Sequence, residues 1–207
     1  MTKTKNQLHF KVMIDQLIEY DKELFRFLNG FHAPWLDPVM VLLTETVAWL
    51  PLYVFLLYLI IKEHKKESWI ILLGIAITIL LADQTTASLM KPYFGRLRPS
   101  REPTLQGLVH LVEGYAGGQF GFASSHAANT FGAATFFFLV FRHTRPWIAW
   151  LFLWAAFMTY TRIYLGVHYP GDVLVGASVG VICGWIGFKF SEWLKGWDEK
   201  RRLTSPS

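Results

Sequence analysis

The amino-acid sequence predicts an all-α integral membrane protein: a helical bundle with about five transmembrane helices and an N-terminal amphipathic helix at the membrane interface. Three observations predict this class. Of the 207 residues, 53% are hydrophobic and only 17% are charged, whereas soluble domains carry about 25% charged residues. The apolar residues form runs that approach the ~20 residues needed to cross a bilayer core. Tryptophans near the ends of these runs are typical of interfacial aromatic belts, at positions 35, 69, 147, 193 and 197.

The first predicted element is the amphipathic helix, at residues 8–30. Apolar residues such as Leu8, Val12 and Leu17 recur there at helical spacing, with charged residues between them. This many charges argue against a spanning segment and favour a helix that lies in the membrane interface. The stretch also lacks the uninterrupted apolar centre of a signal peptide, so we expect the later helices to direct membrane insertion.

The transmembrane core is predicted at residues 36–193, and a cytoplasmic tail at 194–207 completes a single domain that covers residues 1–207. The five predicted spans are Val39–Ile61, Trp69–Met90, Phe122–Phe141, Trp147–Tyr164 and Val173–Trp193. In the last span Gly176, Gly180 and Gly184 share one helix face, because they repeat every four residues. Three glycines on one face predict that another helix approaches closely there.

The connections between the predicted spans divide into two sides. The short basic connections Lys62–Ser68 and Arg142–Arg145 and the basic stretch Lys195–Leu203 are expected in the cytoplasm by the positive-inside rule. Much of the net charge of +5 falls between apolar runs, which indicates topology or anionic lipid and not a nucleic-acid partner. The remaining connections then share the opposite, outer side of the membrane.

Three polar clusters lie at predicted helix ends on this outer side. They contain Lys91, Arg96, Arg98 and nearby Arg101; Ser124, Ser125, His126 and Asn129; and Arg162, His168 and Asp172. Three cations together with hydroxyl groups and a helix N-terminus predict a site for a multiply charged anion, and phosphate is the obvious candidate. Charged residues at this depth cost about 2.5–3.5 kcal/mol each on insertion scales. A purely structural polar network is therefore the weaker explanation.

The two histidines of these clusters indicate phosphoryl transfer. His168 and Asp172 are four residues apart, so on a helical turn the carboxylate can hold one imidazole nitrogen and leave the other free to attack. His126 can then protonate the departing oxygen from the opposite end. A zinc site made of the same three side chains is the alternative, but the surrounding cations would repel a divalent metal.

The order and spacing of the clusters resemble the three-part signature of the type 2 phosphatidic acid phosphatase (PAP2) superfamily, in its bacterial membrane lipid-phosphatase branch. The matching stretches are Lys91-x6-Arg98-Pro99, Ser124-Ser125-His126 and Arg162-x5-His168-x3-Asp172. The resemblance implies a six-helix α-bundle core and a phosphatase that works through a phosphohistidine intermediate. It also implies that neither a metal nor another cofactor is needed.

The resemblance further implies a role for each residue of the signature. His168 is the expected nucleophile, Asp172 its orienting partner and His126 the general acid. Phosphate is expected to be bound by Lys91, Arg98, Arg162, Ser124 and the backbone N–H of Ser125. Where the family usually has Pro-Ser-Gly-His, this chain has Ala123-Ser124-Ser125-His126. A side chain in place of glycine predicts a tighter or shifted pocket.

The expected substrate is a lipid phosphate or diphosphate that stays in the bilayer. Undecaprenyl diphosphate is slightly favoured over lipid A phosphate and glycerophospholipid phosphates. One alternative is a lipid phosphotransferase, which differs only in the acceptor of the phosphoryl group. The other is a non-enzymatic anion transporter, which has no need of a nucleophile.

Outside the signature, Asp83 is interpreted as structural support, and Arg96 and Arg101 as head-group ligands or solvated loop residues. The histidines outside the signature, such as His32 and His110, are expected at the surface or in loops, because nothing in the sequence gives them partners.

Overall fold

The computed structural model describes residues 2–112 and 114–204 of the chain. Within these residues the regular structure is helical, apart from one isolated bridge between Leu97 and Phe120. The α-helices are α1 (Thr2–Asn29), α2 (Asp37–Thr44), α3 (Leu50–His64), α4 (Ser68–Asp83), α5 (Lys91–Phe94), α6 (Ser125–Phe141), α7 (Trp150–Tyr164) and α8 (Pro170–Thr204). A π-helical segment, Gln84–Met90, joins α4 to α5. The predicted all-α class is confirmed.

The outer surface of the bundle is apolar, as expected for contact with lipid. Two stretches are long and apolar enough to cross a membrane, Thr46–Phe94 and Pro170–Arg201. The first contains both α3 and α4, and the chain turns between these helices at Lys65, where φ is 47°. Large apolar side chains are exposed on the long helices, among them Val54, Leu57, Leu73, Leu80, Leu153, Leu174 and Ile182. So large an apolar surface indicates a membrane protein, and the number of crossings stays a prediction.

The structure divides the first predicted span, Val39–Ile61, into two helices. The helix α2 ends at Thr44, and Glu45 is extended, with φ −79° and ψ 138°. A short 3₁₀ turn follows, and α3 then begins with Pro51 in its first turn, a position that proline favours. The indole Nε1 of Trp49 donates to the Leu43 carbonyl at 2.7 Å and so satisfies a backbone group freed by the break. At the other end of the chain, α8 continues to Thr204, well into the predicted tail.

The predicted glycine face of α8 packs directly against α6. A Cβ added to Gly176, Gly180 or Gly184 would clash with backbone carbonyl oxygens of α6 or of the residue that precedes it. Only glycine therefore allows the two helices to approach so closely. The close approach also joins the two helix starts, where the Ser124 N–H donates to the Asp172 carbonyl at 3.0 Å.

Among the residues whose side chains the structure describes, helix α1 contacts the bundle only through its C-terminal half. Residues 9–20 are exposed on all sides, whereas Phe25 and Asn29 are buried. Phe25 packs edge-on against Tyr169, with ring centroids 5.4 Å apart. Asn29 Nδ2 donates to the carbonyls that end α7, including that of Tyr164 at 2.9 Å. The exposed half mixes apolar and charged side chains, and its position in the membrane interface stays a prediction.

His32 and His110 lie in loops, as expected, but the expectation that they lack partners is wrong. Their rings stack, with centroids 3.9 Å apart, and His110 Nε2 lies 2.9 Å from Asp37 Oδ1. The Tyr164 hydroxyl donates to the same carboxylate oxygen at 2.6 Å. Burial favours the neutral form of Asp37, but the hydrogen bonds from Tyr164 and His110 outweigh it and lower the pKa of this carboxyl. The cluster ties the long loop after α5 to α2 and α7.

Candidate active site

The structure brings the three predicted polar clusters together at one end of the bundle. Each residue lies at or beside a helix end: Lys91 in α5, Arg98 in the following loop, Ser124, Ser125 and His126 at the start of α6, Arg162 at the end of α7, and His168 and Asp172 at the start of α8. The positive charges of Lys91, Arg98 and Arg162 act on both histidines. The arrangement is a buried cationic site with two imidazoles, as the sequence predicts.

The His168 imidazole is held between a carboxylate and a cation. The residue is only 2% exposed. Its Nδ1 lies 3.4 Å from Asp172 Oδ2, which also accepts from the Tyr169 N–H at 3.0 Å. Its Nε2 lies 3.1 Å from Nη1 of Arg98. Nε2 therefore faces the anion-binding cations, while Asp172 holds the other side of the ring.

The surroundings of His168 favour its neutral form. Burial is the largest cause that lowers the pKa of this imidazole, and the positive charges of Arg98, Arg162 and Lys91 lower it further, to well below the usual range. A neutral ring whose Nδ1 proton faces Asp172 leaves Nε2 unprotonated, and its lone pair accepts from Arg98 Nη1. That is the form a nitrogen nucleophile needs at neutral pH.

Arg96 and Asp21 hold Asp172 from the side opposite to His168. Arg96 Nη1 donates to Asp172 Oδ1 at 2.8 Å, and Nη2 donates to Asp21 Oδ2 at 2.7 Å. The guanidinium lies 4.0 Å from the ring centre of Tyr169. Asp21 Oδ1 also accepts from the Gly171 N–H at 2.7 Å, in the first turn of α8. The helix α1 thus reaches the site. The interpretation of Arg96 as a solvated loop residue is wrong, and a head-group contact stays a prediction.

Lys91 is positioned by the hydroxyl that this chain has in place of the usual glycine. Its Nζ donates to Ser125 Oγ at 2.7 Å. Thr86 Oγ1, from the π-helical segment, lies 2.9 Å from the same oxygen and 2.8 Å from the Ala82 carbonyl. The Ser125 side chain therefore holds Lys91 against the π-helical segment. Phosphate binding by Lys91 and a tighter or shifted pocket stay predictions.

Arg162 is oriented by two residues that the sequence motifs do not contain. Its Nη1 donates to Thr44 Oγ1 at 2.6 Å and to the Tyr115 hydroxyl. The side chain is buried, and its Nε has no hydrogen-bond partner among the described residues. Because buried donors are normally paired, this N–H is suited to an anion in the site. Thr44 and Tyr115 come from α2 and the long loop, so no local spacing pointed to them.

Ser124 and His126 complete the predicted set. Ser124 is fully buried, and its Oγ accepts from the Ala127 N–H at 3.4 Å as the N-cap of α6. The His126 imidazole makes no hydrogen bond within the described residues, so it is free to meet a ligand. Phosphate binding by Ser124 and proton donation by His126 stay predictions. Among the described residues, no three His, Cys, Asp or Glu side chains are arranged to hold a metal ion.

Comparisons with known proteins bear on the family and the fold. A PAP2 superfamily model matches residues 67–195, which include every residue of the predicted signature. The lipid A 4'-phosphatase of Bacteroides thetaiotaomicron is 44% identical over 84% of this chain and 78% of its own length. The crystal structure of Aquifex aeolicus LpxE matches with a TM-score of 0.58 and 32% identity, over 81% of this chain and 93% of that one. A transmembrane PAP2-type phosphatidylglycerolphosphate phosphatase from Bacillus subtilis shares the fold, with a TM-score of 0.60 and 24% identity over 89% and 87% of the two chains.

Proposed function

This chain belongs to the PAP2 superfamily, and we propose that it is a membrane phosphatase that hydrolyses a lipid phosphate through a phosphohistidine at His168. The observation that carries the proposal is the position of His168 Nε2. It lies 3.1 Å from Arg98, within reach of two further cations, with Asp172 behind the ring. A phosphate bound by these cations presents its phosphorus to a neutral nitrogen nucleophile.

The proposed reaction has two steps. Nε2 of His168 attacks phosphorus, the bond from phosphorus to the lipid oxygen breaks, and His126 gives its proton to that oxygen. His126 then accepts a proton from water, whose oxygen attacks the phosphohistidine, and the phosphorus–nitrogen bond breaks to release inorganic phosphate. Lys91, Arg98 and Arg162 stabilise the charge on the phosphoryl oxygens in both transition states.

For the substrate we propose a lipid A-type phosphate ahead of the prenyl diphosphate that the sequence slightly favoured. The support is the 44% identity to a lipid A 4'-phosphatase over most of both chains. The apolar outer surface of the bundle also suits a substrate that stays in the bilayer. The proposed location is a bacterial inner membrane, with residues 1–207 forming one domain and the site on the periplasmic face.

A phosphate-release panel on the purified protein in detergent tests the proposal. The substrates are a lipid A 4'-phosphate, undecaprenyl diphosphate, phosphatidylglycerophosphate and phosphatidic acid, with His168→Ala as the matched control. We expect free phosphate from the lipid A substrate and none from the control. Release from none of the four lipids would overturn the function. A phosphorylated acceptor without free phosphate would identify a transferase, and anion flux into liposomes without hydrolysis would identify a transporter.

A further inference from the structure

An apolar groove on the lipid-facing side of α4 and α6 contains two polar residues, Asp83 and Asn129. The groove has a volume of about 570 Å³, and the rest of its lining is aliphatic, from residues such as Ile75, Ile79 and Leu80. A neighbouring cavity of about 580 Å³ shares Ile75, Ile79 and Asn129 and continues between α3 and α7. Together they form an apolar path from the lipid-facing surface to the polar side chains of Asp83 and Asn129.

Neither polar group in this groove has a protein partner. Within residues 2–112 and 114–204, the Asp83 carboxylate makes no hydrogen bond and no ion pair. The Oδ1 atom of Asn129 is buried and equally without a hydrogen-bond partner in the described chain. Unpaired polar groups in an apolar setting are costly, and intramembrane carboxylates are rare unless they pair or act. The Asp83 charge acts favourably on Lys91, which agrees with the structural support interpreted from the sequence, but this interaction leaves the hydrogen-bond acceptors of both side chains unused.

The two residues lie one helical turn below the phosphate site. Thr86 and Ser125 mark the level of the site, with their hydroxyl oxygens 2.9 Å apart beside Lys91. Asp83 precedes Thr86 by three residues and Asn129 follows Ser125 by four. Since α4 runs toward the site and α6 runs away from it, both residues lie about 5–6 Å deeper along the bundle. A unit bonded to a phosphate beside Lys91 can therefore reach them when it extends along the bundle toward the groove.

We infer that Asp83 and Asn129 form a head-group subsite that accepts hydrogen bonds from hydroxyl or amide N–H groups on the unit that carries the phosphate. The fitting ligand is a phosphorylated glycolipid, whose sugar ring presents such donors within one ring width of the phosphate and whose acyl chains continue along the apolar groove. Phosphatidic acid and prenyl phosphates have no donor at this distance. The inference rests on the proposed function and makes this pair the determinant of its substrate class.

Two lipids with the same leaving-group chemistry separate this role from general effects on catalysis. The first is a glucosamine-based glycolipid 4'-phosphate, and the second is phosphatidic acid, which lacks donors. The readout is the ratio of their kcat/KM values for Asp83→Leu, Asn129→Leu and the control Ile79→Ala, which alters the same groove without a polar group. Where a lipid is not turned over, its competitive inhibition constant replaces kcat/KM. Leucine removes a charge from the bilayer, so loss of folding is not expected for Asp83→Leu.

We expect the glycolipid preference to fall about 10- to 100-fold in Asp83→Leu and about 3- to 10-fold in Asn129→Leu, since hydrogen bonds to a charged acceptor contribute more. Loss of the Asp83 charge also acts on Lys91, but that effect is common to both lipids and cancels in the ratio. Ile79→Ala should change the kcat/KM values of both lipids by the same factor and leave their ratio unaltered. An unchanged ratio in both leucine variants overturns the subsite and leaves the phosphatase function intact. A wild-type protein that hydrolyses neither these two lipids nor any other lipid of the phosphate-release panel overturns the proposed function and the subsite with it.

Discussion

At the scale of single residues, the surroundings of His168 determine its protonation state. Burial and three cations lower its pKa well below the usual range. A group with a lowered pKa becomes protonated only when the pH falls through that lower value, so the neutral nucleophile persists below pH 6.5, the usual value for histidine. We expect kcat/KM, corrected for the substrate dianion, to keep its plateau through pH 6.5 and to decline only at more acidic pH. NMR titration of ¹⁵N-histidine-labelled enzyme checks the lowered pKa of His168, and the His168→Gln variant identifies its signal. A His168 that titrates at or above pH 6.5 contradicts the prediction.

The two histidines should fail in different ways when they are replaced. His168→Ala removes the atom that accepts phosphorus, so neither phosphoenzyme nor turnover is expected. His126→Ala removes the proton donor and should slow both steps, yet a substrate whose leaving group needs no proton should still label the protein. Asp172→Asn keeps the shape but loses the charge that stabilises the imidazolium, and we expect a loss on the order of 10²–10⁴ in kcat.

The measurement for these variants is a rapid acid-free quench with a radiolabelled aryl phosphate, followed by a search for acid-labile, base-stable label on the protein. Label in His168→Ala together with none in His126→Ala would reverse the two roles. A complete absence of label from the wild type and all variants would favour direct attack by water.

Among the elements, α1 has a function that its exposed surface does not suggest. Asp21, two turns before the end of this helix, binds both Arg96 and the first turn of α8. We expect Asp21→Asn to lower kcat about 10-fold with little change in KM, because the loosened Arg96 no longer fixes Asp172. Asp15→Asn, on the exposed part of the same helix, is the matched control and should leave both constants unchanged.

A double variant distinguishes positioning of Asp172 from loss of helix packing. If Asp21 acts through Asp172, adding Asp21→Asn to Asp172→Asn should cause almost no further loss, since residues in one network are not additive. Losses that multiply fully in the double variant would show instead that Asp21 acts on the fold or through another route.

Elements also show which features the sequence can predict. The three clusters were placed together correctly because each is adjacent to a helix end, and alternating spans return those ends to one side. The glycine face of α8 was predicted because its period matches the helix. Arg96, Thr44 and Tyr115 were missed because their partners come from distant elements, whose packing no local spacing encodes. The break at Glu45 was missed because the apolar run continues past it, and only the charge and the nearby Pro51 signal it.

For the whole molecule, the apolar outer surface and the position of the cationic site together determine which membrane leaflet supplies the substrate. The site lies at the end of the bundle where α6 and α8 begin, whereas the short basic connection after α6 lies at the other end. The positive-inside rule therefore predicts that the enzyme acts on lipid in the outer leaflet of the inner membrane. A reversed orientation would give the site access only to the cytoplasmic leaflet.

Single cysteines at opposite ends of the bundle test this orientation. Gln106 lies in the loop beside the site and His143 in the connection after α6; both are exposed, and neither substitution removes an arginine or lysine. In a Cys183→Ala background, which removes the buried native thiol, we expect an impermeant maleimide to label Gln106→Cys on spheroplasts and to leave His143→Cys unlabelled. Both variants should react after permeabilisation, which controls for accessibility. Labelling of His143→Cys alone on intact spheroplasts would place the site in the cytoplasm and exclude an outer-leaflet substrate.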